Sequence, residues 1–255
     1  MTPPPPLTIR RVSKHYGGVE ALRDVSFALD LGGIVGLIGA NGAGKSTLLD
    51  IIGGEQPQDS GEVLLDGVPL IGSPHERARR GLARTFQHPK VSLDMTVFEN
   101  VAVGLAVREM STKWQAMTLP LKAIVTGRTP SRAEVEEACR EVGLTDLDRP
   151  ARLLSFGELR LLEVARAVIQ RPRFILLDEP FPGVEEGGVA LLIRTLRRLA
   201  TAGRTVLVVD HNVLIIEALV QSVILMARGA VVFSGSIQEC VRSREFQQEY
   251  VGSAR

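Results

Sequence analysis

The chain has 255 residues, 45% of them hydrophobic and 23% charged, enough for one large domain or two modest ones with an ample core. Its 30 Lys and Arg against 29 Asp and Glu leave a formal charge of +1, a balance that speaks against nucleic acid as the main ligand. Cys139 and Cys240, the only cysteines, make neither a disulfide framework nor a Cys-rich metal site, and read as free, buried thiols of a reducing compartment.

Residues 1–6 carry Pro3 to Pro6 and lack the basic start and apolar core of a secretory signal, so a disordered arm is expected there. The longest apolar stretch, Val213 to Phe233, is interrupted by Glu217, Gln221 and Arg228. A spanning helix needs ~20 largely apolar residues. The expectation is a cytoplasmic chain, or one that rests on a membrane through partners.

Apolar runs then alternate with helical text, the α/β signature. "GGIVGLIG" (Gly32 to Gly39) reads as a buried strand, and "GANGAGKS" (Gly39 to Ser46) follows it and opens a helix. That order turns G-x-x-x-x-G-K-[ST] into a phosphate cradle. Backbone N–H groups from Gly39 through Asn41, Gly42, Ala43, Gly44 and on to Thr47 curl around phosphates at a positive helix end. Lys45 reaches the β- and γ-phosphates and Ser46 offers its hydroxyl to Mg²⁺. The bland alternative is a structural Gly-rich turn, which the strand and helix flanks oppose.

"EVLLDG" (Glu62 to Gly67) is a strand ending in a turn, and "HERARRG" (His75 to Gly81) reads as a solvated helix end. Gln87, in "LARTFQH", stands where an amide can sense Mg²⁺ or water, although a lone Gln is a weak signal. From Phe98 to Leu154 the text turns helical and polar, an insert in the core. Within it "SRAEVEEACREVGL" is capped by Ser131 and stopped at Gly143. "LSFGE" (Leu154 to Glu158) looks like a Ser-Gly phosphate-gripping turn altered in two places.

"RFILLDEP" is a buried strand delivering Asp178 and Glu179 to its tip. Asp178 suits a Mg²⁺ ligand, and Glu179 suits a general base or water-orienting residue. Solvated acids at a strand end are the alternative. His211 follows the next apolar strand, "RTVLVVDHN". A lone His there is usually a loop or core residue, but parallel strands bring their C-terminal ends to one ligand-binding edge. "SVILMARGAVVFSG" reads as a hairpin turning at Arg228-Gly229.

The P-loop, Gln87, "LSFGE", Asp178-Glu179 and His211, in that order, resemble the ATP-binding cassette (ABC) ATPases from about Leu7 to Gly252. The resemblance implies an ATPase using ATP and Mg²⁺, with Lys45, Glu179, His211 and Gln87 catalytic and Ser46, Gln87 and Asp178 around the metal. It implies one cassette over 7–252. A RecA-like core and an antiparallel β subdomain would span about 7–95 and 160–252, and a helical subdomain about 96–159. Tyr16, otherwise a core or edge residue, matches the family's adenine-stacking aromatic. Two such domains pair head to tail, so Ser155, Phe156, Gly157 and Glu158 would grip the γ-phosphate bound by the partner.

Departures matter here. Phe156 and Glu158 replace Gly and Gln of the usual Leu-Ser-Gly-Gly-Gln, and Leu159 and Leu161 stand where polar or basic residues are common. Those leucines either bury on one helix face or weaken the half-site. Glu185 in "FPGVEE" replaces an aspartate. "ARTFQH", "LSFGE" and "EYVGSA" resemble the branched-chain amino-acid importer ATPases, and "DHNV" the lipopolysaccharide-export ATPase. The importer reading implies permease subunits, a second nucleotide-binding subunit, an extracytoplasmic solute-binding protein, and a place on the cytoplasmic face of the membrane. Alternatives are a soluble ABC ATPase acting on ribosomes or DNA, and a regulatory cassette that binds ATP without turnover.

Overall fold

Strand β3 (Gly33–Ile38) lies near the middle of a six-stranded sheet ordered β10-β9-β3-β8-β7-β6. Its partners are β6 (Leu82–Arg84), β7 (Phe174–Asp178), β8 (Thr205–Val209), β9 (Ser222–Ala227) and β10 (Ala230–Ser236). β6, β7, β8, β3 and β9 run parallel, and β10 returns antiparallel to β9 as the expected hairpin. A second, antiparallel sheet is ordered β2-β1-β4-β5, from β1 (Leu7–Tyr16), β2 (Val19–Leu29), β4 (Ser60–Leu65) and β5 (Val68–Pro69). The computed structural model describes residues 6–85, 90–109 and 131–251, without the side chains of 106–109 and 251. Gln87, most of the 104–132 insert and residues 1–5 of the Pro-rich arm lie outside the described residues.

The period of two along the central strands explains how the layers assemble. Phe174 and Leu176 of β7 face a core shared with the antiparallel sheet and helix α1 (Lys45–Gly53), while Ile175 and Leu177 face the helical layer. Both faces are covered, so β7 and β8 read as unbroken apolar runs and are fully buried. The helical layer includes α3 (Val97–Glu109), α4 (Arg132–Val142), α5 (Phe156–Val168) and α6 (Glu186–Thr201). α4 begins at a Ser131–Glu134 capping box and ends on Gly143 in the left-handed region. α5 runs unbroken across positions 159 and 160, where the sequence reading divides helical subdomain from core. Leu161 is buried and Leu159 packs half-buried on the same core, so the apolar choice at both is a packing choice.

Among the described residues no helix is long and apolar enough to cross a membrane. Cys139 and Cys240 are free and buried, and burial pushes their thiols up to about 12 and about 11.

One expectation is corrected. "HERARRG" is not simply a solvated helix end: Arg77, in α2 (Pro74–Arg79), is buried. Its guanidinium donates to the carbonyls of Ile51, Ile52 (2.8 Å) and Gly72 (3.2 Å), so it caps the C-terminal end of α1. A cation there also meets the negative end of the helix dipole. Arg77→Ala is expected to lower unfolding stability by about 2–3 kcal/mol, because buried carbonyls lose a charged donor. Denaturant midpoints of the two proteins check this, and a change below about 0.5 kcal/mol would sink the capping role.

Candidate nucleotide site

The parallel strands bring their C-terminal ends to one edge, and the loop from β3 to α1 forms its floor. A Cβ on Gly39 would stand 2.3 Å from the Met226 carbonyl oxygen, and one on Gly44 2.6 Å from that of Ala21. Gly44 also has φ 98°, a left-handed value that side chains rarely adopt. The loop is therefore pressed so closely onto β2 and β9 that no larger residue fits at either position. Gly44 caps α1 without a side chain, and the first turn holds no acid, so the helix end stays open to an anion.

Within the loop Ala43 is buried; its N–H donates to Ala40 and its carbonyl accepts from Gly229. Asn41, Gly42 and Ser46 are exposed, and Thr47 is half-buried. The Gly39 N–H is held by the phenol oxygen of Tyr250 at 2.9 Å. Lys45 is buried, and its ammonium donates to the carbonyls of Gly39 (2.6 Å) and Ala40 (2.9 Å). Burial lowers its pKa, and the charges of Glu179, Asp178 and Asp210 work the other way.

Asp178 closes β7 and is buried, which raises its pKa; Arg84 opposes that rise. The Arg84 guanidinium bridges Asp178 (3.3 Å) and Asp50 (2.6 Å). Asp50 in turn accepts from Gln56 at 3.2 Å, and Gln56 accepts from the phenol of Tyr16. A polar chain thus runs from half-exposed Tyr16 to Asp178. Glu179 has φ 45°, rare for a residue with a side chain, and its N–H donates to the Val209 carbonyl at 2.9 Å. Its carboxylate lies 3.4 Å from His211 Nδ1. The fully buried Asp210 accepts the Asn212 N–H at 2.8 Å, and burial raises its pKa.

The fold thus brings Lys45, Asp178, Glu179 and His211 together at this edge. Ser155, Phe156, Gly157 and Glu158 form a separate patch at the start of α5, beside Val184, Glu185 and Gly188. The sequence reading missed Arg84 and Tyr250. A charged residue closing the short apolar run before "TFQ" was the available signal for Arg84; Tyr250 stood out only as part of "EYVGSA", with no role attached.

Mg²⁺ fits this donor set. Among the described residues no three His, Cys, Asp or Glu side chains make a closed metal cage. The Ser46 hydroxyl and Asp178 carboxylate are hard oxygen donors, and Mg²⁺ favours one or two protein oxygens completed by phosphate and water.

Loop, buried lysine and paired acids on a parallel sheet define a P-loop nucleotide-binding protein. The model of the ABC transporter family matches residues 22–182, and the chain belongs to that family. It is 31% identical to the lipopolysaccharide export system ATP-binding protein LptB of Haemophilus influenzae, over 96% of this chain and 97% of that one. LptB of Acidithiobacillus ferridurans is 36% identical, over 96% of each chain. Ribose import ATP-binding protein RbsA 2 of Streptomyces avermitilis is 34% identical over 91% of this chain, but over only 44% of its own length. The solved ADP conformation of MJ1267, an ATP-binding cassette of an ABC transporter, superposes with a TM-score of 0.83 at 28% identity, covering 96% and 98% of the two chains. The dimeric post-hydrolysis state of the cassette MJ0796, bound to ADP and Pi, shares the fold at TM-score 0.72 and 23% identity, over 91% of this chain and 98% of that one.

The chain is thus an ATP-hydrolysing, ATP-binding subunit of an ABC transporter, with ATP and Mg²⁺ as its ligands. Such subunits work with transmembrane partners, peripheral to the membrane on its cytoplasmic side.

Proposed function

We propose that Lys45, Asp178, Glu179 and His211 perform hydrolysis in this chain, and that a second cassette completes each site with its Ser155 patch. The observation that carries the reading is the placement of Glu179, held in a strained backbone conformation 3.4 Å from His211 on the edge that also holds Lys45.

The roles follow from chemistry. Lys45 exchanges its two carbonyl partners for β- and γ-phosphate oxygens. Ser46 and Asp178, with Gln87, would hold Mg²⁺, and the ion would supply neutralisation of the phosphate charge. Glu179 orients the attacking water and accepts its proton, while His211 steadies the Glu179 carboxylate and reaches toward the γ-phosphate. Tyr16 stacks on adenine. Asn41, Gly42, Gly44 and Thr47 line the phosphates. The near-neutral charge balance favours these ligands over nucleic acid.

For the cargo, the LptB relatives, matched over nearly their whole length, favour export of a lipid such as lipopolysaccharide. "LSFGE" and "ARTFQH" support a second reading, import of branched-chain amino acids or related amides, and only that reading calls for a solute-binding protein. Purifying the tagged chain from its own membranes with its permease partners separates the two, since an importer's complex is expected to respond to a solute-binding protein.

The site reading has its own test. Chelating Mg²⁺ with EDTA is expected to lower ATP turnover by at least about 10³-fold, because Mg²⁺ neutralises the transferring phosphoryl group. Turnover that survives EDTA would remove Ser46 and Asp178 from the reaction.

A further inference from the structure

Glu185 stands at the start of α6, in the loop after β7. Ser131, Ser155, Asn212, Ser236 and Ser243 each accept an N–H from the first turn of the helix they cap; Glu185 makes no such bond. Its carboxylate Oε1 instead lies 3.2 Å from the hydroxyl of Ser155, thirty positions away. It fills a notch left by two glycines: a Cβ on Gly157 or Gly188 would be 3.0 or 2.9 Å from it.

The Ser155 hydroxyl has one proton to give. Its oxygen already accepts the Glu158 N–H at 3.2 Å, so the proton points to Glu185. A phosphate arriving at Ser155 needs that same proton and meets a carboxylate in its place. The other acid of the patch, Glu158, is neutralised by Arg149 at 2.7 Å, whereas Glu185 makes no ion pair among the described residues. We infer that Glu185 occupies the Ser155 hydroxyl of the separated subunit as a stand-in for the partner's γ-phosphate, and so sets the ATP concentration at which two copies close. The inference rests on the reading of Ser155 as a grip on the partner's nucleotide. It makes Glu185 a positioning residue: it touches no nucleotide and acts through Ser155. An aspartate, one methylene shorter, is expected to fall short of the hydroxyl that Glu185 meets at 3.2 Å.

The test is ATP-driven dimerisation by sedimentation velocity, in a Glu179→Gln background that holds ATP unhydrolysed. Glu185→Gln and Glu185→Asp are each expected to lower the half-maximal ATP concentration by about tenfold, the scale of one charge-assisted hydrogen bond. Ser155→Ala should erase the effect of Glu185→Gln. ADP binding at the P-loop reports that each variant is folded. A midpoint that stays put, or rises, in Glu185→Gln overturns the inference, since a merely structural tie would loosen the patch and hinder closure. The reading beneath it fails separately: with Glu185→Gln already present, Ser155→Ala must raise the midpoint if that hydroxyl grips phosphate, and no change would discard both.

Discussion

Glu179→Gln is expected to lower ATP turnover by about 10³-fold and to leave nucleotide binding intact, within the range observed for loss of a positioned general base. The substitution keeps shape and volume, so the strained backbone at φ 45° and the bond from its N–H to Val209 face the same demands as before. What disappears is the negative charge. Without it the side chain no longer takes a proton from water, and His211, 3.4 Å away, loses its anionic partner. Phosphate binding should strengthen slightly, because an acid near the γ-phosphate repels it. Unhydrolysed ATP then accumulates in a closed dimer, seen as a nucleotide-dependent doubling of mass. Single-turnover rates within tenfold of the wild type would assign the base elsewhere.

Much of this site was legible because its parts are local. Strand, glycine loop and helix are contiguous at Gly32 to Gly53, and the covered faces of β7 and β8 make their apolar runs unbroken. The antiparallel sheet was harder to read. β1 buries Leu7, Ile9 and Val12 but carries Arg10, Arg11, Lys14 and His15, and register shifts interrupt its pairing, so no clean alternation appears. Resemblance, not periodicity, announced it.

The failures share a cause: a charged residue shows its charge in the sequence and not its partner. Arg77 looked like solvated surface because the carbonyls it caps lie 25 and 26 positions away. Arg84 joins Asp50 to Asp178, which are 128 positions apart, and only the sheet order brings the three together. Glu185 was visible as a departure, yet its contact with Ser155 exists only once the loop after β7 folds onto α5.

Lys45→Met should weaken ATP binding by about 10²- to 10³-fold, since two charge-assisted bonds to phosphate are lost at roughly 1.5–3 kcal/mol each, less what the open helix end recovers. The fold should survive, because methionine fills the same volume and sheds a buried charge, although the carbonyls of Gly39 and Ala40 lose their donor. The same lysine predicts opposite pH slopes for binding and for stability. Burial holds its folded-state pKa below the ordinary lysine value of 10.5. Between that lowered pKa and 10.5 the unfolded chain binds more protons than the folded one, so this residue makes stability rise with pH across the window. The charged form is the one that grips phosphate, so ATP affinity is full on the acid side and falls as pH climbs through the lowered pKa. Titrating affinity and denaturant midpoint across alkaline pH, in the wild type and in Lys45→Met, isolates the contribution. If the affinity slope persists in Lys45→Met, another group carries it, and the lysine's part in phosphate binding would have to be reassigned.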